Sequence, residues 1–187
     1  MAVAGIVGGI VVLAAIIVFW AISVYNRLIN MRNLKEEGWS GIDVQLKRRH
    51  DLIGNLVNTV KGYMQHERGV LEDITRLRSS ARQASGVPAV AAAESGLNQA
   101  LGRLFAVMEN YPALRASENT MQLQESLSSL ENELQMARRY YNGTVRNLNI
   151  LIQSFPSNIV ARRFDFKEGE FFELDNMAER ALPQVSF

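Results

Sequence analysis

Cysteine is absent from the 187 residues, and histidine occurs only at His50 and His66. Without cysteine the chain has no disulfide, no thiolate zinc site and no cysteine nucleophile. On one predicted helix the two histidines point about 160° apart around the axis, so they cannot share a metal ion. There is also no glycine-rich phosphate loop between a strand and a helix. We therefore expect no catalytic residues, no metal and no cofactor, and a protein that is not an enzyme.

The chain also has little net charge and few prolines. The formal net charge is +1, which gives no electrostatic basis for binding nucleic acid. Proline occurs at four positions that coincide with predicted element boundaries. This composition is typical of an all-α protein. The four positions are Pro88, Pro112, Pro156 and Pro183.

The first 26 residues carry no charged side chain. The apolar run Val3–Val24 would form a helix of about 33 Å, against a hydrocarbon core of about 30 Å. A cleaved signal peptide is the alternative, with a weak cleavage match at Ala21-Ile22-Ser23. No basic region precedes the run, however, and the run is longer than a typical signal. Residues 1–26 are therefore predicted to be a retained transmembrane anchor.

Aromatic and basic residues at the end of this run predict its orientation. Trp20, Tyr25 and Arg27 lie where interfacial anchors are expected. Arg32 and Lys35 add positive charge on the same side. The positive-inside rule then predicts a single-pass protein of the bacterial inner membrane, with the N-terminus outside and the remainder in the cytoplasm.

Small residues follow two patterns with alternative interpretations. Gly5 and Gly9 have the spacing that lets two membrane helices pack closely, although glycine is also simply common in such helices. Residues 27–38 form a juxtamembrane connector, and Gly38 and Gly41 mark a candidate hinge after it. A continuous helix leaving the membrane is equally consistent with the sequence.

A period of seven runs from Trp39 to Ala84, with apolar or aromatic residues at almost every stripe position. Such a repeat is typical of a helix that faces other helices. No proline interrupts it, so we expect one helix of about 70 Å. Only Arg49 and Glu67 break the stripe.

Arg49 should be buried with the stripe and should have a carboxylate partner, because an unpaired buried charge is costly. Glu67, Arg138 and Arg139 are the predicted members of a buried ion network with it, and Asp43 and Asp51 are further acidic candidates. Such a network would fix the helix register rather than perform acid–base chemistry.

Three further helices are predicted, over about Pro88–Asn110, from Ser117 to Phe155, and from Ser157 or Asn158 to Arg163. An aromatic segment after them would strap onto the core. Residues 39–187 are thus predicted to be an up-and-down helical bundle. Since the first helix would be much longer than the second, part of its stripe would stay uncovered and favour a homo-oligomer.

Several motifs resemble the LemA family. They include Trp39-Ser40, Thr59-Val60-Lys61-Gly62-Tyr63, Tyr111-Pro112, Ala137-Arg138-Arg139, Phe155-Pro156-Ser157-Asn158 and the closing Pro183-x-Val185-x-Phe187. Gly54 departs from the pattern, since many members carry proline there. The resemblance implies a bacterial single-pass membrane protein with a helical bundle, in a family whose biochemical function is not established. Magnetosome-associated members suggest membrane organisation by analogy.

Two classes of function follow. The first is a membrane-anchored scaffold that self-associates or gathers membrane protein partners. The second is a sensor or regulator that couples the membrane helix to a protease or kinase. A hinge at Gly38–Gly41 would favour the regulator, and a rigid continuous helix with an exposed adhesive outer face would favour the scaffold.

Overall fold

The computed structural model describes residues 2–173 and, apart from residues 3–5, their side chains. This part of the chain is all-α, with six helices and no strand. The predicted all-α helical bundle is confirmed. The helices are α1 (Ala2–Val60), α2 (Arg68–Gln83), α3 (Val87–Met108), α4 (Pro112–Arg115), α5 (Glu118–Gln153) and α6 (Ser157–Arg163).

Helix α1 joins the apolar run to the heptad stripe without a break. Its backbone stays helical through Gly38 and Gly41. The predicted connector, residues 27–38, is part of this helix, and Leu28 within it is completely buried. This segment therefore contributes to a hydrophobic core.

The prediction of one helix from Trp39 to Ala84 is wrong. Helix α1 ends at Val60, where the amides of Tyr63 and Met64 both donate to the Val60 carbonyl. After this turn α2 runs back beside α1, which brings the Arg78 guanidinium within 3.9 Å of the Asp51 carboxylate. The period of seven continues because both arms of the hairpin face the same core.

Two compact units make up the fold. Of the residues described, unit 1 comprises 2–40 and 139–170, and unit 2 comprises 41–138 and 171–173. In unit 2 the end of α1 packs with α2, α3 and the start of α5 around one apolar core. Its completely buried side chains include Ile53, Leu56, Met64, Ile74, Leu97, Leu104 and Leu114.

In unit 1, α1 and α5 run antiparallel. The rings of Trp39 and Tyr141 lie 5.5 Å apart at one end, and Leu28 shares a core with Leu148 further along. Helix α6 contributes Val160 and Ala161 to that core.

The chain after α6 is irregular as far as Glu173, and it contains the phenylalanines of the predicted strap, Phe164, Phe166, Phe171 and Phe172. Asn149 holds this segment by accepting from the Gly169 amide at 2.8 Å and donating to the Gly169 carbonyl at 3.0 Å. A Cβ on Gly169 would lie 3.1 Å from the Lys35 side chain, so the close approach favours glycine. Phe166 packs against Tyr25, with ring centroids 5.9 Å apart. The segment is thus fixed to α1 and α5.

The hairpin of α1 and α2 can be tested with spin labels, because the chain has no native cysteine. Labels on cysteines at Asp51 and Arg78 should be close enough for strong dipolar coupling. A continuous helix would separate these positions by about 40 Å. Pulsed electron paramagnetic resonance measures the distance directly. A control pair at Arg68 and Arg82, both in α2, should give about 21 Å in either case. A distance near 40 Å for the first pair would contradict the hairpin.

Candidate functional site: a buried ion cluster and an exposed apolar span

A cluster of charged side chains lies inside unit 2, with Arg49 at its centre. Arg49 Nη1 donates to Glu94 Oε2 at 3.1 Å, and its Nη2 lies 3.3 Å from Glu131 Oε2. Arg49 also donates to the side-chain oxygen of Asn98. The Glu94 side chain is 0% exposed. These contacts link α1, α3 and α5, so the cluster fixes the register of three helices.

The second oxygen of Glu94 is also satisfied. His50 Nε2 donates to Glu94 Oε1 at 2.7 Å, and His50 is itself buried. A buried carboxylate is tolerated only when it is paired and hydrogen-bonded. Glu94 meets this requirement through Arg49 on one oxygen and His50 on the other.

Arg138 extends the cluster along α5. Its Nη1 donates to Glu131 Oε1 at 3.4 Å, and its guanidinium carbon lies 5.0 Å from the centre of the Phe172 ring. Burial lowers the pKa of the Arg138 guanidinium, while the Glu131 carboxylate opposes that shift. Glu131 therefore bridges the two arginines.

The structure brings together two of the four predicted network members, Arg49 and Arg138. Glu67 precedes α2 in the turn, because the predicted helix does not continue there. Arg139 is exposed, since it follows Arg138 by about 100° around α5. Among the ion pairs of residues 2–173, neither takes part in the cluster. Of the other acidic candidates, Asp43 is exposed and Asp51 lies near Arg78.

Sequence reasoning missed Glu94, Glu131 and His50. Glu94 had a usable signal, because it is a charged residue on the apolar stripe of α3, between Val90 and Leu97. That is the same signal that identified Arg49.

The cluster has its charged groups turned towards one another. A groove of about 630 Å³ opens beside Arg49 and Glu131, with Phe105 and Leu127 on its apolar side. In the part of the chain that the structure describes, no group of three or more acidic or histidine side chains could hold a metal ion. The geometry is that of a buried ion cluster that holds α1, α3 and α5 together.

The apolar span of α1 is the second feature. Its most apolar stretch carries no charged side chain, and none of that stretch is buried. The side chains from Ile6 to Phe19 are exposed, while Ala21 and Val24 pack partly against the core of unit 1. This is one candidate membrane-spanning helix near the N-terminus, among the residues described.

The predicted anchors and packing residues have distinct surroundings. Trp20 and Arg27 are exposed, whereas Tyr25 packs against Phe164 with ring centroids 4.8 Å apart. A Cβ on Gly9 would meet nothing within 4 Å. The surroundings of Gly5 lie outside the described residues. The candidate hinge is helical, and a Cβ on Gly38 would lie 3.2 Å from the Tyr141 backbone, while Gly41 is open.

These features define a class: an all-helical protein with one candidate membrane span continuing into a packed bundle. Residues 38–187 match the model of the LemA family, and the chain belongs to that family.

Three relatives illustrate the range of similarity. Magnetosome protein MamQ 2 of Paramagnetospirillum magneticum is 26% identical over 175 residues, covering 80% of this chain and 64% of the relative. Magnetosome protein MamQ of Magnetospirillum gryphiswaldense is 24% identical over 174 residues, with coverage of 79% and 64%. Protein LemA of Metamycoplasma hominis is 28% identical over 150 residues, with coverage of 79% and 68%. The matched region thus spans 64% of the length of these MamQ relatives.

The ion cluster predicts different effects for two neighbouring arginines. Arg49→Ala should lower the free energy of unfolding by about 3–5 kcal/mol, because it leaves the Glu94 carboxylate buried without its cation. Arg48→Ala is the matched control. Arg48 is 62% exposed and pairs with Glu133 at the surface, so its loss should cost about 0–1 kcal/mol. Denaturant unfolding of the full chain in mild detergent, followed by circular dichroism, measures both. Equally small changes in the free energy of unfolding for both variants would contradict the buried ion cluster.

Proposed function

We propose that this protein is a membrane-anchored scaffold that performs no catalysis and self-associates through its membrane helix. The observation that carries the proposal is the exposed apolar span on a helix that continues, without interruption, into a packed bundle. Side chains so apolar and so exposed require lipid or another apolar helix. The span therefore provides both the anchor and a surface for association.

The ion cluster supports a role other than catalysis. A general base needs a lone pair that can reach a substrate proton. The side chain of His50 is only 7% exposed and donates through Nε2 to Glu94, so the histidine is enclosed among the helices rather than open to a substrate. The Glu94 oxygens are both occupied by cationic or donor groups. The charges are thus used to hold helices together.

Self-association rests on the anchor. Gly5 and Gly9 share one side of α1, and the open surroundings of Gly9 leave room for a second helix. Copies in one bilayer also share an orientation and a plane, which raises their effective concentration. The predicted uncovered stripe gives no support, because α2 folds back along α1 and the two arms share one core.

A sensor or regulator of a membrane protease or kinase is the alternative function. It needs an element with two states between the membrane helix and the bundle. The helical backbone through Gly38 and Gly41 favours the scaffold over this alternative. The names of the MamQ relatives give a place, the magnetosome, rather than a reaction, which also fits a scaffold.

If the protein self-associates through its membrane helix, larger side chains at Gly5 and Gly9 should weaken the association. Purified in mild detergent, the protein should be a discrete multimer by light scattering coupled to gel filtration. Gly5→Leu with Gly9→Leu should shift it towards the monomer, because the added side chains separate the helices.

Val7→Leu with Ala14→Leu is the matched control, since these positions lie on the opposite side of α1. This variant should leave the multimer unchanged. A monodisperse monomer of the unaltered protein at micromolar concentration would contradict the scaffold and favour the regulator.

The proposed location is the bacterial inner membrane, with the bundle in the cytoplasm. Arg27, Arg32 and Lys35 support this orientation by the positive-inside rule. Green fluorescent protein fused after Phe187 should fluoresce, and alkaline phosphatase at the same position should be inactive. The intact mass of protein extracted from membranes should include residues 1–24. An active phosphatase, or a mass that begins near Val24, would contradict the proposal.

A further inference from the structure

The end of unit 1 nearest to the apolar span carries exposed apolar side chains of its own. Phe155, in the loop after α5, is 80% exposed, Ile159 on α6 is 57% exposed, and Phe164 is 55% exposed. Arg162 and Arg163 are exposed between them. These five residues are called here the α6 patch.

The packing of unit 1 fixes the level of the α6 patch along α1. Leu148 of α5 shares a core with Leu28. Because α5 runs antiparallel to α1, the seven residues from Leu148 to Phe155 lead about 10 Å back towards the apolar span. Val160 and Ala161 of α6 belong to the same core, against which Ala21, Val24 and Tyr25 pack. Helix α6 therefore lies beside the last turns of the span.

The length of the span then places the patch at the membrane surface. Residues 3–24 make about 33 Å of helix and fill a hydrocarbon core of about 30 Å. Their bundle-side end is Val24, which packs against the core that contains α6. When the span crosses a bilayer, α6 is at the level where hydrocarbon meets the headgroups.

The chemistry of the patch suits that level. Phenylalanine and isoleucine side chains insert at the boundary between headgroups and acyl chains, and arginines reach from there to phosphate groups. Among the ion pairs of residues 2–173, neither Arg162 nor Arg163 has a carboxylate partner, while the neighbouring Asp165 is paired with Lys167. Within residues 2–173 the patch thus combines apolar side chains with positive charge that no carboxylate pairs, which complements anionic lipid.

We propose that the α6 patch is a second membrane contact, which inserts Phe155 and Ile159 into the bilayer surface and binds anionic lipid headgroups through Arg162 and Arg163. The proposal rests on the membrane anchoring of the proposed function, but not on self-association. Two attachments on neighbouring elements would hold unit 1 at a fixed tilt and rotation relative to the bilayer, which a single helix cannot do.

Depth measurements on the full chain test the proposal. Single cysteines at Phe155 and Ile159 carry a spin label, and the protein is placed in nanodiscs of phosphatidylcholine with or without phosphatidylglycerol. Relaxation by oxygen, which concentrates in lipid, is compared with relaxation by a water-soluble nickel complex. Asn147, an exposed residue of α5 about 12 Å further from the patch, is the matched control. Ile16, in the span, is the positive control for anchoring.

The expected ratio of oxygen to nickel accessibility is several-fold higher at both patch positions than at Asn147. It should rise further with phosphatidylglycerol, and Arg162→Gln with Arg163→Gln should remove that rise. Patch labels as open to nickel as Asn147, with Ile16 in lipid, would overturn the α6 contact alone. Low accessibility to both oxygen and nickel, together with dipolar broadening between patch labels of two copies, would show a protein contact instead and would also overturn it. An Ile16 label open to nickel would overturn the anchor as well.

Discussion

Helix α1 has to satisfy two environments with one continuous backbone, and the rest of the structure depends on that constraint. Up to Asn26 it carries no charge, and the side chains of its span are exposed. Leu28, one turn beyond Val24, is completely buried against protein. Because a helix satisfies its backbone hydrogen bonds internally, the same element can serve in lipid and in a protein core. Between the two environments only the side chains of the helix differ, and its backbone stays the same.

The ion cluster constrains the helices of unit 2. Replacing a buried ion pair by apolar residues is often neutral or stabilising, so the cluster is not best understood as a source of stability. Its members come from three helices, and each carboxylate contacts two partners: Glu94 contacts Arg49 and His50, and Glu131 contacts Arg49 and Arg138. A slip of one helix would leave charges buried and unpaired. The cluster therefore selects one helix register against others of similar apolar burial.

The sequence was sufficient to predict the helices whose ends are marked by particular residues. Proline and glycine mark the ends of α2, α3 and α5, and the apolar stripe marks the buried side of α5. The turn at residues 61–67 contains one such residue, Gly62, two positions after the end of α1, but no proline follows it. A period of seven is the same for one long helix and for two antiparallel helices that share a core, so the period concealed the turn.

The ion cluster shows a second limit of the sequence. Arg49 was identifiable because it interrupts an apolar stripe, but its partner Glu94 lies on another helix. The correct pairing requires the three-dimensional arrangement of α1 and α3. Likewise, the phenylalanines after α6 predicted contact with a core, whereas the hydrogen bonds of Asn149 to Gly169 depend on where α5 runs.

The proposed scaffold function requires that α1 stay helical between the membrane span and unit 2, without a hinge at Gly38 and Gly41. Hydrogen exchange of the full chain in lipid nanodiscs, followed by mass spectrometry, tests it most directly at residues 36–42. The account predicts that amides around Gly38 and Gly41 exchange as slowly as those around Leu46 and Ile53. Exchange there much faster than on both sides would reveal a hinge, contradict the rigid connection and support the regulator.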